Sequence, residues 1–458
     1  MHFTKRRLDR QRSGLFVAIS VLAASAVALS CSSTDEPELQ TPADTDAGSE
    51  SSDASSEADA SADASDADAA IFDGKPLPVV CESKPCATEL VTTLGADEND
   101  GAEGFCVLLD DGTVACWGAN GAGQLGRGEA EDEELFDSAT AAKVVGLSNV
   151  AALDRTCALD KSGGVWCWGS GPFRWEESGV VNARSTSPVK LPLPPATSVA
   201  RSFKTACAIV GDDDVRCWGD NGLGQLGPTT MNFNGEPQQA ELPAGSPASS
   251  LAVGNTTFVL RADGSLVTWG GNPGIGRVSA SFPDPRPQPI SLSGVTQIDA
   301  THNNTCAIAN GKAYCWGARL VPTKGTVVER ALPEPVVAPE PLVRIATTHS
   351  EGKYYSFSKR FVGFKPYRWC GVGASGSLYC WGYNTSGQAG TGDQEFVTRA
   401  TLVDGLPAKV ARVRTTMNST CALLTTGKVY CWGSNYHGQL GNGLNRGRSF
   451  VPTEVVLP

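Results

Sequence analysis

Fifteen cysteines are the residues of this 458-residue chain best placed to do chemistry. Thiols can hold a metal, act as nucleophiles or close disulfides, and their spacing decides among these. Five pairs lie ten residues apart: Cys106 and Cys116, Cys157 and Cys167, Cys207 and Cys217, Cys370 and Cys380, Cys421 and Cys431. Cys306 and Cys315 lie nine apart, Cys81 and Cys86 five, and Cys31 is left over. A structural zinc site needs four ligands, whereas each pair offers two, with no second pair or histidine at regular spacing. No nucleophile elbow, phosphate loop or H-E-x-x-H motif occurs. Beyond the leader the histidines are His302, His349 and His437, in three different repeats. We therefore expect no catalytic residue, cofactor or metal. Carboxylates gathered across a ring remain the route by which a hydrolase or lyase could arise.

The elements that position the thiols follow from turn chemistry. "FCVLLDDGTVACWG" alternates around a turn, and cysteines ten apart face each other across the three-residue loop Asp110-Asp111-Gly112. Gly163, Gly264, Gly376 and Gly427 hold the corresponding place elsewhere, while the third unit has Gly211-Asp212-Asp213. In the fifth unit the spacing drops to nine and the loop shrinks to Asn310-Gly311, the preferred type I′ pair. Both geometries put the cysteines at the fourth pair from the turn. That pair is non-hydrogen-bonded, with Cα atoms ~4.5 Å apart and within disulfide range. The fourth unit has Phe258 and Thr268 there, so both cysteines are absent together. The expected bridges are Cys81–Cys86, Cys106–Cys116, Cys157–Cys167, Cys207–Cys217, Cys306–Cys315, Cys370–Cys380 and Cys421–Cys431. Such bridges persist in an oxidising, extracytoplasmic place.

These hairpins recur. Trp117, Trp168, Trp218, Trp269, Trp316, Trp381 and Trp432 each precede a glycine, at intervals of 51, 50, 51, 47, 65 and 51 residues. Segments such as "AKVVGL" and "RATLV" supply further short strands between hairpins. Seven turn-rich β units at this period predict a propeller rather than a solenoid.

The N-terminus points to the same compartment. Lys5, Arg6, Arg7, Arg10 and Arg12 precede a 15-residue apolar run, Leu15 to Leu29, suited to a secretory signal over residues 1–30. Val27-Ala28-Leu29-Ser30-Cys31 resembles the lipobox of bacterial lipoproteins, which implies lipidation of Cys31 and a membrane-anchored, extracytoplasmic protein, with plain secretion the alternative. Residues 31–70 are small, polar and acidic, with 12 Asp or Glu and no Lys or Arg, and read as a disordered tether. The full chain carries −12. Without the leader this becomes −16, of which the tether holds −12, leaving the folded region 71–458 near −4. That region lacks the basic balance of a nucleic-acid binder.

The text Cys-Ala-Leu…Gly-x-Val-x-Cys-Trp-Gly-x-Asn-x-x-Gly-Gln-Leu-Gly resembles the repeat named for the regulator of chromosome condensation (RCC1-type). Its tail stands at Gly123–Gly126, Gly224–Gly227 and Gly438–Gly441, more weakly at Gly387–Gly390 and Gly274–Gly276, and is missing after Trp168 and Trp316. The resemblance covers about residues 88 to 458 and implies an all-β, seven-bladed propeller. It also implies two activities known in the family, nucleotide exchange on a small GTPase with chromatin binding, and inhibition of secreted β-lactamases. Compartment, charge and disulfides oppose the first. The C-terminal "PTEVVLP" matches text such as "SPVKLPL" and is expected to join the first blade. Residues repeated in every blade build it: Trp for inter-blade packing, Gly for turns, Gln for bonding loop backbone.

Partner binding is then expected where the text does not repeat. The longest departure, "HSEGKYYSFSKRFVGFKPYRW", is an insertion before Cys370. It mixes aromatic and basic side chains, the composition of binding hot spots. Its candidates are Lys353, Tyr354, Tyr355, Phe357, Lys359, Arg360, Phe361, Phe364, Lys365, Tyr367, Arg368 and Trp369. An acidic run, Glu129 and Glu131 to Glu134, reads as a solvated loop, and "SGPFRWEESG" is expected to expose Phe173 and Trp175. The function expected is a binding module for a protein or polysaccharide, with a hydrolase or lyase the rival.

Overall fold

The computed structural model describes residues 74–458 except 96–103, 129–134, 177–178, 212, 230–232, 303, 322–325, 349–351, 356–359 and 365–367. The leader, Cys31, the tether and the acidic run at 129–134 lie outside the described residues.

Each repeat folds as a four-stranded antiparallel meander in chain order, and seven of these form the blades of a propeller. In the first blade the strands, from axis to rim, are Ala87–Thr92, Gly104–Leu109, Val114–Gly118 and Ser138–Lys143. The sixth blade is interrupted. Its innermost strand Leu342–Thr347 pairs with Arg368–Gly373, and the intervening chain makes a separate two-stranded hairpin.

The hairpin registers agree with the expected spacing. Cys106 faces Cys116 across Leu109 and Thr113, and Gly112 has φ 78°. In the fifth blade Ala309 faces Lys312, Asn310 and Gly311 have φ 49° and 72°, and Cys306 faces Cys315. All six in-blade pairs are disulfides with Cα atoms 4.1 Å apart, and Cys81–Cys86 is the seventh. In the fourth blade Phe258 faces Thr268, both fully buried. Phe258 packs edge-on against Trp316 of the next blade, so an apolar inter-blade contact stands where others have a bridge.

The core lies between blades. Cys106, Val114 and Leu125 of the first blade pack with Leu153 and Trp168 of the second. Within each Gly-Gln-Leu-Gly tail the polar groups close on themselves. Gln124 Oε1 accepts from Ala122 N at 2.8 Å, and Asn120 Oδ1 from Leu125 N at 3.1 Å. Gln225 with Asn221, Gln388 with Asn384 and Gln439 with Asn435 repeat this. At three of these tails the Gln backbone carbonyl accepts from the next blade's tryptophan, and at the other Gln388 O accepts from Thr420 Oγ1. Trp168 Nε1 donates to Gln124 O at 3.0 Å and Trp269 Nε1 to Gln225 O at 2.7 Å.

Ring closure differs from the sequence expectation. The C-terminal strand Arg448–Glu454 pairs within its own, seventh, blade, with Tyr430 facing Glu454 and Cys431 facing Thr453. The matching "SPVK" text is likewise the outermost strand of its own repeat, with Lys190 facing Trp166. Every blade is therefore one contiguous repeat, and closure is made by packing. Val455 joins Leu90, Phe105 and Trp117 in one cluster, and Trp117 Nε1 donates to Gln439 O at 2.9 Å. The outermost strands carry Pro188, Pro237, Pro287, Pro333 and Pro452, and proline blunts an unpaired sheet edge.

Candidate binding face and axial channel

A meander whose blades run from axis to rim sorts its connections onto two faces. Links between first and second strands, and between third and fourth, emerge on one face. The hairpin turns and blade-to-blade links emerge on the other. The turn face is uniform and carries Asp110-Asp111-Gly112 and its equivalents. Residues 80–87 run along it, with Val80 N bonded to Thr425 O at 2.7 Å and Ala87 N to Gly427 O at 2.9 Å. The loop face collects the irregular text: the Gly-Gln-Leu-Gly tails, the long hairpins Val165–Glu176/Gly179–Lys190 and Lys312–Val321/Thr326–Pro335, and the sixth-blade insertion.

In that insertion Gly352–Tyr355 pairs with Arg360–Phe364, and Tyr354 faces Phe361. The backbone thus brings Lys353, Tyr354, Tyr355, Arg360, Phe361 and Phe364 onto one hairpin. Phe357, Lys359, Lys365 and Tyr367 lie outside the described residues, as does His349. Arg368 and Trp369 correct the expectation. Each is only 1% exposed, because they are the residues just before Cys370 in the second strand of the blade. Arg368 Nη2 donates to Thr416 O at 2.7 Å and Ser419 O at 2.8 Å, tying the sixth blade to the seventh. Trp369 stacks on Trp381 at 6.3 Å, and the preceding blade lacks a Gly-Gln-Leu-Gly tail.

Phe173 is a second correction. It is 2% exposed and packs with Trp218, as Leu125 packs with Trp168. The second blade also lacks the tail, and Phe173 fills the leucine's place while Pro172 O accepts from Trp218 Nε1 at 2.6 Å. Nothing is described of the Trp175 side chain.

On the loop face, a depression of about 310 Å³ opens at the axis, lined among others by Leu94, Phe203, Lys204, Asp220 and His302. Arg155 forms its floor and spans the axis, with Nη2 3.2 Å from Ala300 O and Nη1 3.5 Å from Thr92 Oγ1. A narrower cavity of about 150 Å³ follows between the innermost strands. Those strands have no backbone ladder to the next blade, and side chains substitute for one. Asp154 Oδ2 accepts from Arg201 N at 2.8 Å, Asp299 Oδ2 from Thr347 N at 2.8 Å, and Gln297 holds both N and O of Ile345. Burial raises the Asp154 carboxyl above its usual range against the opposing pull of Arg155. Burial likewise lowers Arg201 to about 9, with Asp154 opposing. Arg412 pairs with Glu89 at 3.0 Å, and Arg414 lies 3.9 Å from Asp299.

Sequence reasoning passed over these axial charges, although Asp154, Asp299, Arg344, Arg412 and Arg414 stand where other innermost strands carry Ala or Ser. It also missed His437, whose Nδ1 lies 2.6 Å from Asp137 Oδ2 across the seam between seventh and first blades. The exposed Tyr436 and Phe136 flank that pair.

A family model described as the regulator of chromosome condensation (RCC1) repeat matches residues 418–439. The Ultraviolet-B receptor UVR8 of Arabidopsis thaliana is 26% identical over 373 residues, covering 76% of this chain and 79% of that protein. Human WBSCR16 superposes with a TM-score of 0.61 at 17% identity, over 76% of this chain and 95% of that one. Yeast RCC1 (Prp20), in its structure bound to Kap60, superposes with a TM-score of 0.61 at 19% identity, over 80% and 87%. With seven blades, their Trp-Gly signature and the Gly-Gln-Leu-Gly inter-blade clip, the chain is similar to RCC1-type repeat propellers and carries one repeat that matches their family model.

Proposed function

We propose that the chain is a lipid-anchored, extracytoplasmic binding module that recognises a protein or polysaccharide on its loop face. One observation carries the reading: the irregular segments gather on that face, while the opposite face is uniform and receives the chain from the N-terminus. Residues 80–87 run along the turn face, so that face is partly covered by this chain's own backbone. The disulfides support an oxidising compartment. A protein partner is favoured by analogy, since a yeast relative of this fold is solved with Kap60 bound. The aromatic and basic residues of the sixth-blade hairpin are the expected anchors.

The test replaces residues 351–365 of the chain lacking its leader with a short Gly-Ser linker. Arg368 and Trp369 are kept because they belong to the blade. Crosslinking to envelope extracts and glycan-array binding should fall at least tenfold while the melting temperature holds. Undiminished capture by the folded variant would remove the hairpin from the binding face. Turnover of an envelope polysaccharide by the purified protein would instead favour the hydrolase or lyase reading.

A further inference from the structure

We propose that the axial channel is an oxyanion site, in which Arg344, Arg412 and Arg414 receive a free carboxylate or phosphate group. This goes beyond the loop-face reading and does not depend on it. The innermost strands, with Arg155 just after the second, carry five arginines against the carboxylates of Glu89, Asp154 and Asp299. The channel wall is therefore positive within a chain of net −12.

Three of the cations meet on two adjacent strands. Arg344 faces Val372 and Arg412 faces Leu423, equivalent places in the sixth and seventh blades, and Arg414 lies two residues further along. Two carboxylates face these three cations. Asp299 Oδ2 is bonded to Thr347 N, leaving Oδ1 3.9 Å from Arg414. Glu89 pairs with Arg412 at 3.0 Å. Arg344 has no ion-pair or hydrogen-bond partner among the described residues, and its Nε is buried without an acceptor. Burial, with Arg412 and Arg414 nearby, lowers its guanidinium to about 10 against the opposing pull of Glu89.

A guanidinium stays charged at neutral pH, so this cluster cannot relieve itself by losing a proton. An anion would satisfy it, and a guanidinium fork fits carboxylate and phosphate oxygens equally well. Of the three arginines Arg414 borders the 150 Å³ cavity, together with Arg155, Arg201, Thr347 and the carboxylates of Asp154 and Asp299, while Arg344 and Arg412 stand two places earlier on their strands, outside its lining. The Thr347 hydroxyl, which accepts from Asn304 Nδ2, can donate to one of the anion's oxygens, whereas Thr415 Oγ1 donates to Thr347 O at 3.1 Å.

The experiment uses the folded, disulfide-bonded chain in sodium phosphate, sodium succinate and sodium chloride at equal ionic strength and pH 7. Phosphate, succinate or both should raise the melting temperature saturably over chloride and give a calorimetric binding isotherm, the responding salt identifying the anion class. Arg344→Met should abolish the increment while melting no lower than the parent in chloride. Arg344→Lys, which keeps the charge and loses the fork, should weaken binding about tenfold. If Arg344→Met does not fold, Arg414→Gln carries the same comparison. Equal melting in all three salts, or a full oxyanion increment in a folded Arg344→Met protein, would overturn the proposal.

Discussion

Trp117 of the first blade donates its indole N–H to the backbone carbonyl of Gln439 in the seventh, 322 residues away, at 2.9 Å. The same bond joins Trp168 to Gln124 and Trp269 to Gln225 between neighbouring blades. The seam of the ring is thus built like those two joints, whereas at the sixth-to-seventh joint Trp432 Nε1 has no acceptor among the described residues and Gln388 O accepts from Thr420 Oγ1. A repeat that clips to its predecessor closes a ring when the last copy meets the first, with no strand exchanged.

Trp117→Phe should keep most of the apolar contact and leave Gln439 O without its donor. The expected loss is about 1–3 kcal/mol in urea unfolding, against about 3–5 kcal/mol for Trp117→Ala, which also opens a cavity. Equal losses for the two variants would show that the indole bond contributes nothing at the seam.

Arg368 should behave as a structural residue despite its place beside the insertion. Arg368→Met removes the guanidinium donor from Thr416 O and from Ser419 O, the latter still accepting from Thr416 N. Destabilisation of about 2–4 kcal/mol is expected. Lys353→Ala or Arg360→Ala, on the inserted hairpin, should stay within about 0.5 kcal/mol of the parent. A folded, equally stable Arg368→Met protein that loses its partner would return Arg368 to the binding face.

The hairpin turn of the first blade should register acid. The Thr113 hydroxyl and the Lys143 ammonium hold the Asp111 carboxyl at about 2, below the ~3.9 of an unfolded chain. A lowered folded value means the contribution is complete above about pH 4. It is lost as pH falls through that value toward 2. Asp111→Asn should flatten this part of the stability profile and leave pH 6–8 unaltered in slope. The carboxylate is half exposed, so the effect is small and best read by NMR titration of Asp111 itself. A titration midpoint near 3.9 would contradict the turn geometry.

Most of the fold was legible because its constraints are local. Cys306 and Cys315 lie nine apart where the turn is Asn310-Gly311, and spacing and turn change together only in a hairpin. Phe173 and Arg368 were misread because burial there depends on neighbouring blades. Phe173 replaces a leucine whose tail is missing, and Arg368 bonds a blade that begins some forty residues later. The phase of the C-terminal strand was misread because the outermost strand of one blade resembles the text preceding the next. Contacts across the axis, such as Arg155 to Ala300, join residues 145 apart with no repeating text to announce them.

The central claim is a ring of seven blades, six of them stapled within their own middle hairpin. Peptide mapping of the alkylated, unreduced protein tests it most directly. The account predicts Cys106–Cys116, Cys157–Cys167, Cys207–Cys217, Cys306–Cys315, Cys370–Cys380 and Cys421–Cys431, with Cys81–Cys86 beside them. Free thiols at these positions, or bridges joining cysteines of different blades, would contradict it.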